Sequence, residues 1–169
     1  MSRTTLSLAL HLALAGVASH ATAQNIDLGN LGGRGFRILG AVAEGDSARS
    51  VSGAGDINGD GLADLIVGAP RHAPDERPFG GTSYVVFGKA DDAPVDLASL
   101  GNQGFRIDGA SFDDSGFSVS GAGDVNGDGL ADLIIGAQLA PLGSSGQRGA
   151  AYVVFGKSDT LPVDLAALG

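Results

Sequence analysis

The sequence predicts an all-β fold built from repeated units. Short apolar runs lie between turns rich in glycine, which makes up 29 of the 169 residues, and no sustained helical period follows residue 23. Residues 50–69 return as 118–137 with only two Ile/Val differences, and residues 84–89 return unchanged at 152–157. Self-similarity at a fixed spacing is typical of units that stack and bury their faces on each other. We therefore expect stacked β-sheets.

Each repeat is predicted to form four antiparallel strands. The apolar runs place strands at 49–54, 64–69, 82–87 and 104–107 in the first repeat, and at 117–122, 132–137 and 150–155 in the second. Tyr84, Val85 and Val86 make both faces of their strand apolar, so other sheets must cover that strand from both sides. Four-stranded sheets stacked around an axis form a β-propeller, in which each sheet is called a blade. The sequence contains enough strands for two blades. A β-sandwich is the alternative, but it gives no reason for sets of four strands to repeat.

The first 23 residues have the features of a secretory signal peptide. Arg3 gives a positive start, residues 4–17 are mostly apolar, and Ala21 and Ala23 provide the small-residue pattern before a cleavage site at Gln24. A membrane anchor is the alternative, but neither this run nor any later one reaches the ~20 apolar residues needed to span a bilayer. We expect the chain to be exported, and to be secreted, displayed at the cell surface or held in the periplasm.

Composition limits the classes of partner. The chain has 19 acidic residues against 10 basic ones, of which Arg3 leaves with the signal peptide. Nucleic-acid binding needs a basic surface, so a protein this acidic is a poor candidate for it. The chain has no cysteine to form disulfides, and a bound metal would be a useful source of stability instead.

Two nine-residue loops predict two calcium sites. DINGDGLAD at 56–64 and DVNGDGLAD at 124–132 place carboxylate or amide oxygens at positions 1, 3, 5 and 9, with a glycine at position 6. A set of ~6–7 oxygen ligands suits Ca²⁺ better than Mg²⁺, whereas zinc or copper would require His or Cys. The expected ligands are the side chains of Asp56, Asn58, Asp60 and Asp64 with the Leu62 carbonyl, and the side chains of Asp124, Asn126, Asp128 and Asp132 with the Leu130 carbonyl.

A simpler interpretation of these loops is that Asn-Gly and Asp-Gly form tight turns and bind no cation. Turn formation explains the glycines but not three neighbouring carboxylates, since each pair repels by about 3 kcal/mol at ~5 Å and an effective dielectric of about 20. The loops also differ from an EF-hand, because position 12 is Val67 or Ile135 rather than glutamate. Strand-forming residues follow each loop, so we expect Asp64 and Asp132 to open the second strand of a hairpin.

Four motifs mark the repeats. They are Gly-Phe-Ser-Val at 116–119, the Gly-Asp-x-Asn-Gly-Asp-Gly loop, Gly-Ala-Pro at 68–70 and Tyr-Val-Val-Phe-Gly at 84–88. Together they resemble the FG-GAP repeat of integrin α-subunit propellers and related bacterial exported proteins. The second repeat has Gln138 in place of the proline, and the first has Ala48-Arg49 in place of Gly-Phe. The resemblance implies a propeller, calcium in hairpin loops on one face, and a role in extracellular recognition.

The predicted organisation has four parts. These are a signal peptide at 1–23, a partial repeat at 24–40 that supplies a fourth-strand element of a preceding blade, a first repeat at 41–109, and a second repeat at 110–169 that lacks its fourth strand. Propellers close with ~4–8 blades, more than the two counted here. Either the sequence is a fragment of a longer polypeptide, or copies assemble head to tail so that strand 35–39 of one copy completes the last blade of its neighbour.

The residue inventory argues against catalysis, and no catalytic residue is assigned. His72 is the one histidine after the signal peptide, and there is no cysteine or Gly-x-Ser-x-Gly motif. The connectors at 70–81 and 138–149 differ between repeats, which fits binding loops on a fixed scaffold and equally fits an absence of constraint. We expect a non-catalytic adhesion or recognition module for an extracellular protein or glycan. The alternatives are a structural module of an exported hydrolase and a carbohydrate-binding propeller.

Overall fold

The computed structural model describes residues 26–42, 47–141, 146 and 149–168. The predicted signal peptide at 1–23 and parts of the connectors at 41–47 and 138–149 lie outside the described residues. The chain divides after Asn30 into two units. In the described part of the first unit, Asp27 and Asn30 form an isolated antiparallel bridge. All further structure described here belongs to the second unit.

Ten short strands and three single turns of 3₁₀ helix make up the regular structure of the described residues, so the prediction of an all-β fold is confirmed. The strands are β1 (Ile38–Leu39), β2 (Ser50–Gly55), β3 (Asp64–Ala69), β4 (Thr82–Val86), β5 (Val95–Asp96), β6 (Gly104–Asp108), β7 (Ser115–Gly123), β8 (Asp132–Ala137), β9 (Ala150–Val154) and β10 (Val163–Asp164). The 3₁₀ turns are Pro74–Glu76, Leu97–Ser99 and Leu165–Ala167. Among these elements no helix is long and apolar enough to cross a membrane.

The first repeat folds into a complete antiparallel blade, which we call blade 1, with the strand order β6-β4-β3-β2. Tyr84 in β4 lies opposite Val67 in β3 on one side and opposite Arg106 in β6 on the other. The short strand β10 from the second repeat adds to the outer edge of β6 in parallel. Blade 1 therefore contains the four antiparallel strands expected of one propeller blade.

The second repeat forms a three-stranded antiparallel sheet, β7-β8-β9, which we call blade 2. Its register repeats that of blade 1, since Ile135 lies opposite Tyr152 where Val67 lies opposite Tyr84. Separately, β1 pairs in parallel with β5, in the same way as β6 pairs with β10. The pairing of the Val-Asp segments in β5 and β10 is a feature of the fold that the apolar pattern did not predict.

Alternate side chains of blade 1 enter two different hydrophobic cores, as the two-residue period of a strand requires. Ile66 and Val85 point toward blade 2 and belong to one core with Leu133. Val67 points the other way and belongs to a second core, against which Phe36 packs. Apolar groups therefore cover both faces of β4, with Val85 in one core and Tyr84 and Val86 in the other, which confirms the interpretation of this two-sided apolar strand.

Glycine allows the two blades to approach closely. A Cβ atom added to Gly68 would overlap the carbonyl oxygen of Gly116 in β7. The Ser50 hydroxyl donates a hydrogen bond to that same carbonyl oxygen (2.9 Å). The glycine of the Gly-Ala-Pro motif at 68–70 therefore serves the contact between blades, because any larger residue would push them apart.

Candidate metal centre

The two predicted calcium loops lie side by side at one end of the blades. The loop at 56–64 joins β2 to β3, and the loop at 124–132 joins β7 to β8. The Ala131 amide donates a hydrogen bond to the Asp56 carbonyl (2.9 Å), which ties the second loop to the first. The structure thus places the ten predicted ligands in two adjacent hairpin loops, with Asp64 and Asp132 as the first residues of β3 and β8.

The carboxylate of Asp56 organises the first loop. It accepts hydrogen bonds from three backbone amides, those of Gly59 (2.8 Å), Asp60 (3.1 Å) and Gly61 (2.9 Å). In the second loop, the Asp124 carboxylate accepts the equivalent three bonds, from Gly127 (2.7 Å), Asp128 (3.1 Å) and Gly129 (2.9 Å). The loop sequence therefore folds the same way twice, around the carboxylate at position 1.

The side chains at positions 3 and 5 also bond within the loop. Asn58 accepts from the Asp60 amide (2.9 Å), and its own side-chain amide donates to the Asp60 carboxylate (2.9 Å). The other oxygen of Asp60 accepts from the Leu62 amide (2.8 Å). Asn126 and Asp128 repeat this arrangement in the second loop. Positions 1, 3 and 5 are thus joined in one hydrogen-bonded group near the surface.

The last aspartate of each loop is buried and has a different role. Asp64 accepts hydrogen bonds from the Ile57 amide (2.8 Å) and the Gly88 amide (2.7 Å), and so connects the loop to the segment after β4. Asp132 makes the equivalent bonds to Val125 (2.7 Å) and Gly156 (2.9 Å). Each of these carboxylates therefore fastens three parts of its blade together.

Two of the loop carboxylates have perturbed acidity. Burial raises the pKa of Asp64, and the nearby charges of Asp60 and Asp56 add to this effect, although the amides of Gly88 and Ile57 oppose it. In the second loop, the pKa of Asp128 is lowered, first by its hydrogen bond from the Leu130 amide. Ionisation of the buried Asp64 carboxyl is thus costly, whereas the exposed Asp128 carboxylate is stabilised in its charged form.

The donor chemistry of these loops fits a hard divalent cation. All ten candidate donors are oxygens, and an ionised carboxylate has about four lone-pair sites, so one that accepts two or three hydrogen bonds still keeps a lone pair for a metal. The grouping is looser than a formed site, since within the described residues no three His, Cys, Asp or Glu side chains converge as metal ligands would. Backbone amides also give the carboxylates partners without a cation, as the turn interpretation requires.

A second polar group lies away from these loops, in blade 1. The His72 ring nitrogen Nδ1 lies 2.7 Å from the Thr82 hydroxyl, which donates to the Asp108 carboxylate (3.1 Å). The Asp108 carboxylate also pairs with the Arg106 guanidinium (2.9 Å). Burial raises the pKa of Asp108, lowers that of His72, and raises that of the neighbouring Tyr84 to about 12. The sequence pattern did not predict this network, because its members come from a connector and two separate strands.

Comparison with known protein families identifies the repeats. A family model described as "FG-GAP repeat" matches residues 47–86 and 115–154. The chain contains two FG-GAP repeats. Each FG-GAP match covers three strands of one blade and the acidic loop between the first two of them. The resemblance inferred from the motifs is therefore confirmed.

Several curated relatives of the chain are integrin α subunits. Integrin alpha-3 of Cricetulus griseus is 36% identical over 88 residues, which cover 52% of this chain and 8% of the relative. Integrin alpha pat-2 of Caenorhabditis elegans is 33% identical over 105 residues, covering 62% and 8%. Integrin alpha-M of Mus musculus is 39% identical over 89 residues, covering 50% and 7%. The chain therefore spans only a small part of the length of these relatives.

Proposed function

We propose that this chain is a secreted, calcium-binding FG-GAP module that acts in adhesion or recognition and catalyses no reaction. The pair of matching loops, with oxygen donors at alternate positions, is the observation that carries calcium binding. Similarity to integrin α subunits, which are adhesion receptors, supports a recognition role. The signal-peptide pattern before Gln24 supports export.

The ten loop residues named above would hold the two cations. A bound Ca²⁺ would neutralise part of the acidic charge at the end of the blades and would restrain the loops. Backbone amides already orient Asp56 and Asp60, so the donors need little rearrangement before binding. We expect weak affinity, with Kd about 10⁻⁴ to 10⁻³ M, as is typical of extracellular modules.

The calcium proposal is tested by isothermal titration calorimetry together with thermal unfolding in calcium and in chelator. The chain should bind two Ca²⁺ ions, and its melting temperature should rise with calcium, because a ligand that binds only the folded state stabilises it. Asp60→Ala and Asp128→Ala should each remove one site. Asp92→Ala, which removes an exposed carboxylate outside the loops, should leave both sites intact. No binding heat and an unchanged melting temperature would contradict the proposal.

The recognition surface is proposed to lie at the opposite end of the blades from the acidic loops. The connector at 70–81 runs between the end of β3 and the start of β4, and the connector at 109–114 joins β6 to β7. Phe79 and Phe112 extend from these two connectors, are both more than half exposed, and have ring centroids 6.4 Å apart. Aromatic side chains are enriched in protein interfaces, so an exposed pair on connecting loops supports binding there.

Backbone strain at the same two residues strengthens this placement. Phe79 (φ 51°) and Phe112 (φ 65°) have left-handed conformations, which bulky residues rarely adopt. The Asp114 amide donates to the Phe79 carbonyl and the Phe112 amide to the Pro78 carbonyl, both at 2.8 Å, so the connectors hold each other in this form. Strain of about 1–3 kcal/mol per residue is often found at binding sites.

The exposed aromatic pair also favours a second candidate, a carbohydrate-binding propeller, because an aromatic ring can stack on the apolar face of a sugar. A glycan array and a protein-ligand adhesion assay, run on the same preparations, separate the two candidates. Phe79→Ala with Phe112→Ala should abolish binding in whichever assay detects the ligand. Leu161→Ala, which removes an exposed apolar side chain elsewhere, should have no effect. Binding that survives loss of both rings would refute this placement of the surface.

A further inference from the structure

Backbone hydrogen bonds connect the two acidic loops to each other. The Ala131 amide of the second loop donates to the Asp56 carbonyl of the first (2.9 Å). That amide belongs to the same peptide group as the Leu130 carbonyl, a candidate ligand of the second loop. The Asp56 carbonyl in turn shares a peptide group with the Ile57 amide, which donates to the Asp64 carboxylate (2.8 Å). Two successive peptide groups therefore connect a candidate ligand of the second loop to one of the first.

A second route joins the buried carboxylates of the two loops. The Gly156 amide donates to the Asp132 carboxylate (2.9 Å), and the amide of the next residue, Lys157, donates to the Ile57 carbonyl (3.0 Å). Ile57 is fully buried in the core between the blades, and its own amide donates to Asp64. A movement of one buried carboxylate therefore displaces backbone groups that also hold the other.

The two loops also lie in close contact beside these hydrogen bonds. Gly55, the last residue of β2, lies directly before the first loop, and a Cβ atom added to it would lie 2.6 Å from the Cβ of Ala131. Gly123 is the equivalent residue before the second loop, and a Cβ there would meet nothing within 4 Å among the described residues. The contact at Gly55 therefore leaves no space for a side chain between the loops.

These connections matter because cation binding requires a further adjustment in each loop. Within the described residues, no three acidic or histidine side chains converge as metal ligands would. Because a peptide group is planar and rigid, any movement of the Leu130 carbonyl toward a cation also moves the Ala131 amide. That amide is bonded to the Asp56 carbonyl, so the first loop is displaced or restrained as well. Occupation of one loop would therefore supply part of the ordering that the other loop requires.

We propose that the two calcium sites are coupled, so that the affinity of each loop for calcium rises when the other loop is occupied. This inference rests on the calcium binding proposed above. The charge of a bound cation opposes the coupling, because it weakens the negative potential that attracts the second cation. Salt screens that effect, with a Debye length of about 8 Å at 0.15 M ionic strength, but leaves the backbone hydrogen bonds in place. We therefore expect positive cooperativity under physiological conditions.

Calcium titration followed by heteronuclear NMR measures the two sites separately, because the Gly61 and Gly129 amides lie in different loops. In the parent chain at about 0.15 M salt, both signals should shift with a Hill coefficient above one. A 5-fold coupling between two equal sites gives a coefficient of about 1.4. A coefficient of one or less in both loops would overturn the coupling and leave the calcium proposal intact. The absence of any calcium-dependent shift would refute both.

Single-site variants test whether the coupling is reciprocal. Asp128→Ala, which removes the second site, should weaken calcium binding in the first loop about 5-fold. Asp60→Ala should weaken binding in the second loop by the same factor, because coupling between two binding equilibria is symmetric. Both losses should persist in high salt, which would suppress a purely electrostatic effect of the removed charge. Unchanged affinity in the remaining loop of either variant would overturn the proposal.

A matched pair of glycine substitutions tests the route through Ala131 without removing any ligand. Gly55 and Gly123 both have left-handed backbone conformations (φ 78° and 72°), so an alanine imposes similar strain at either position. The Cβ at Gly55 would also push the two loops apart, whereas the Cβ at Gly123 would not. Gly55→Ala should therefore lower the Hill coefficient to about one, and Gly123→Ala should keep the parent value. Equal cooperativity in the two variants would overturn this route.

Discussion

Ile66 in blade 1 and Ile134 in blade 2 hold the same position in nearly identical segments, but only Ile66 is fully buried. The strands around the two residues have the same register. What differs is the neighbour. Blade 1 lies between blade 2 and the segment that contains Phe36, whereas the described part of the chain provides blade 2 with a neighbour on one side. The sequence of a repeat therefore determines which strands form, whereas the segments packed against the blade determine how deeply its side chains are buried.

The acidic loops behave differently from the blade faces, because they are nearly the same in both repeats. The Asp56 and Asp124 carboxylates each accept three hydrogen bonds from amides of their own loop. These bonds are local, so the presence or absence of a neighbouring blade does not change them. Comparison of the two blades therefore separates two kinds of feature. The hydrogen bonds of the loop carboxylates form within a single repeat, whereas burial of a blade face requires a neighbouring blade.

The largest difference between the blades is expected for loss of the central isoleucine. Ile66→Ala should destabilise the folded chain by about 2–5 kcal/mol, since it leaves a cavity in the core between the blades. Ile134→Ala should cost less than about 1 kcal/mol, because that side chain is partly exposed. Urea unfolding of both variants measures the two free energies of unfolding.

One outcome of that measurement would overturn the comparison. Equal losses for both variants would show that Ile134 is covered as fully as Ile66, and the description of blade 2 as open on one face would be wrong.

A smaller difference is expected when a methyl group is added to the equivalent glycines. Gly68→Ala should destabilise the chain by about 1–3 kcal/mol, because its Cβ would overlap the Gly116 backbone of the other blade. At Gly136 the Cβ would meet the Ser118 hydroxyl, a side chain that can rotate away. Gly136→Ala should therefore cost clearly less than Gly68→Ala. Thermal unfolding compares them, and a larger loss for Gly136→Ala would contradict the account of blade packing.

The fold was largely predictable from the sequence because the repeat is long and its strands are apolar. The antiparallel strands β2 to β4 and β6 to β9 all lie in apolar runs bounded by glycine-rich turns. The two-residue strands β5 and β10 were not predictable in this way. They form because Val-Asp-Leu pairs in parallel with a strand far along the chain, and a segment of two residues carries no periodic pattern.

Prediction of the candidate site was less complete, for a related reason. Because all candidate donors of each loop lie within nine residues, the sequence predicted that they share one hairpin, and each set does lie in one hairpin. It did not show that Asp64 and Asp132 would be buried and bonded to amides of Gly88 and Gly156. Those bonds join residues 24 positions apart and depend on the fold. The two ligand sets therefore stay a proposal until calcium binding is measured.

The smallest effect concerns the two aspartates that begin the 3₁₀ turns after β5 and β10. Asp96 and Asp164 accept equivalent bonds from Ala98 and Ala166, at 2.9 and 3.0 Å. Asp164 also forms two hydrogen bonds with the Arg77 guanidinium (2.6 and 2.7 Å), which hold its pKa below the ordinary value. Among the described ion pairs none involves Asp96, so this link between blade 1 and the second repeat has no counterpart.

A lowered pKa in the folded state means that the Asp164–Arg77 pair stabilises the fold above the unfolded pKa of about 3.9. That stability is lost as the pH falls through the folded pKa. Asp164 is partly exposed, so the contribution should be at most about 1 kcal/mol. Asp164→Asn should therefore flatten the acid limb of a plot of unfolding free energy against pH more than Asp96→Asn does. Equal flattening by the two substitutions would mean that the turn, and not Arg77, causes the acid sensitivity at Asp164. High salt should reduce the difference between the two variants, because salt screens the Asp164–Arg77 pair.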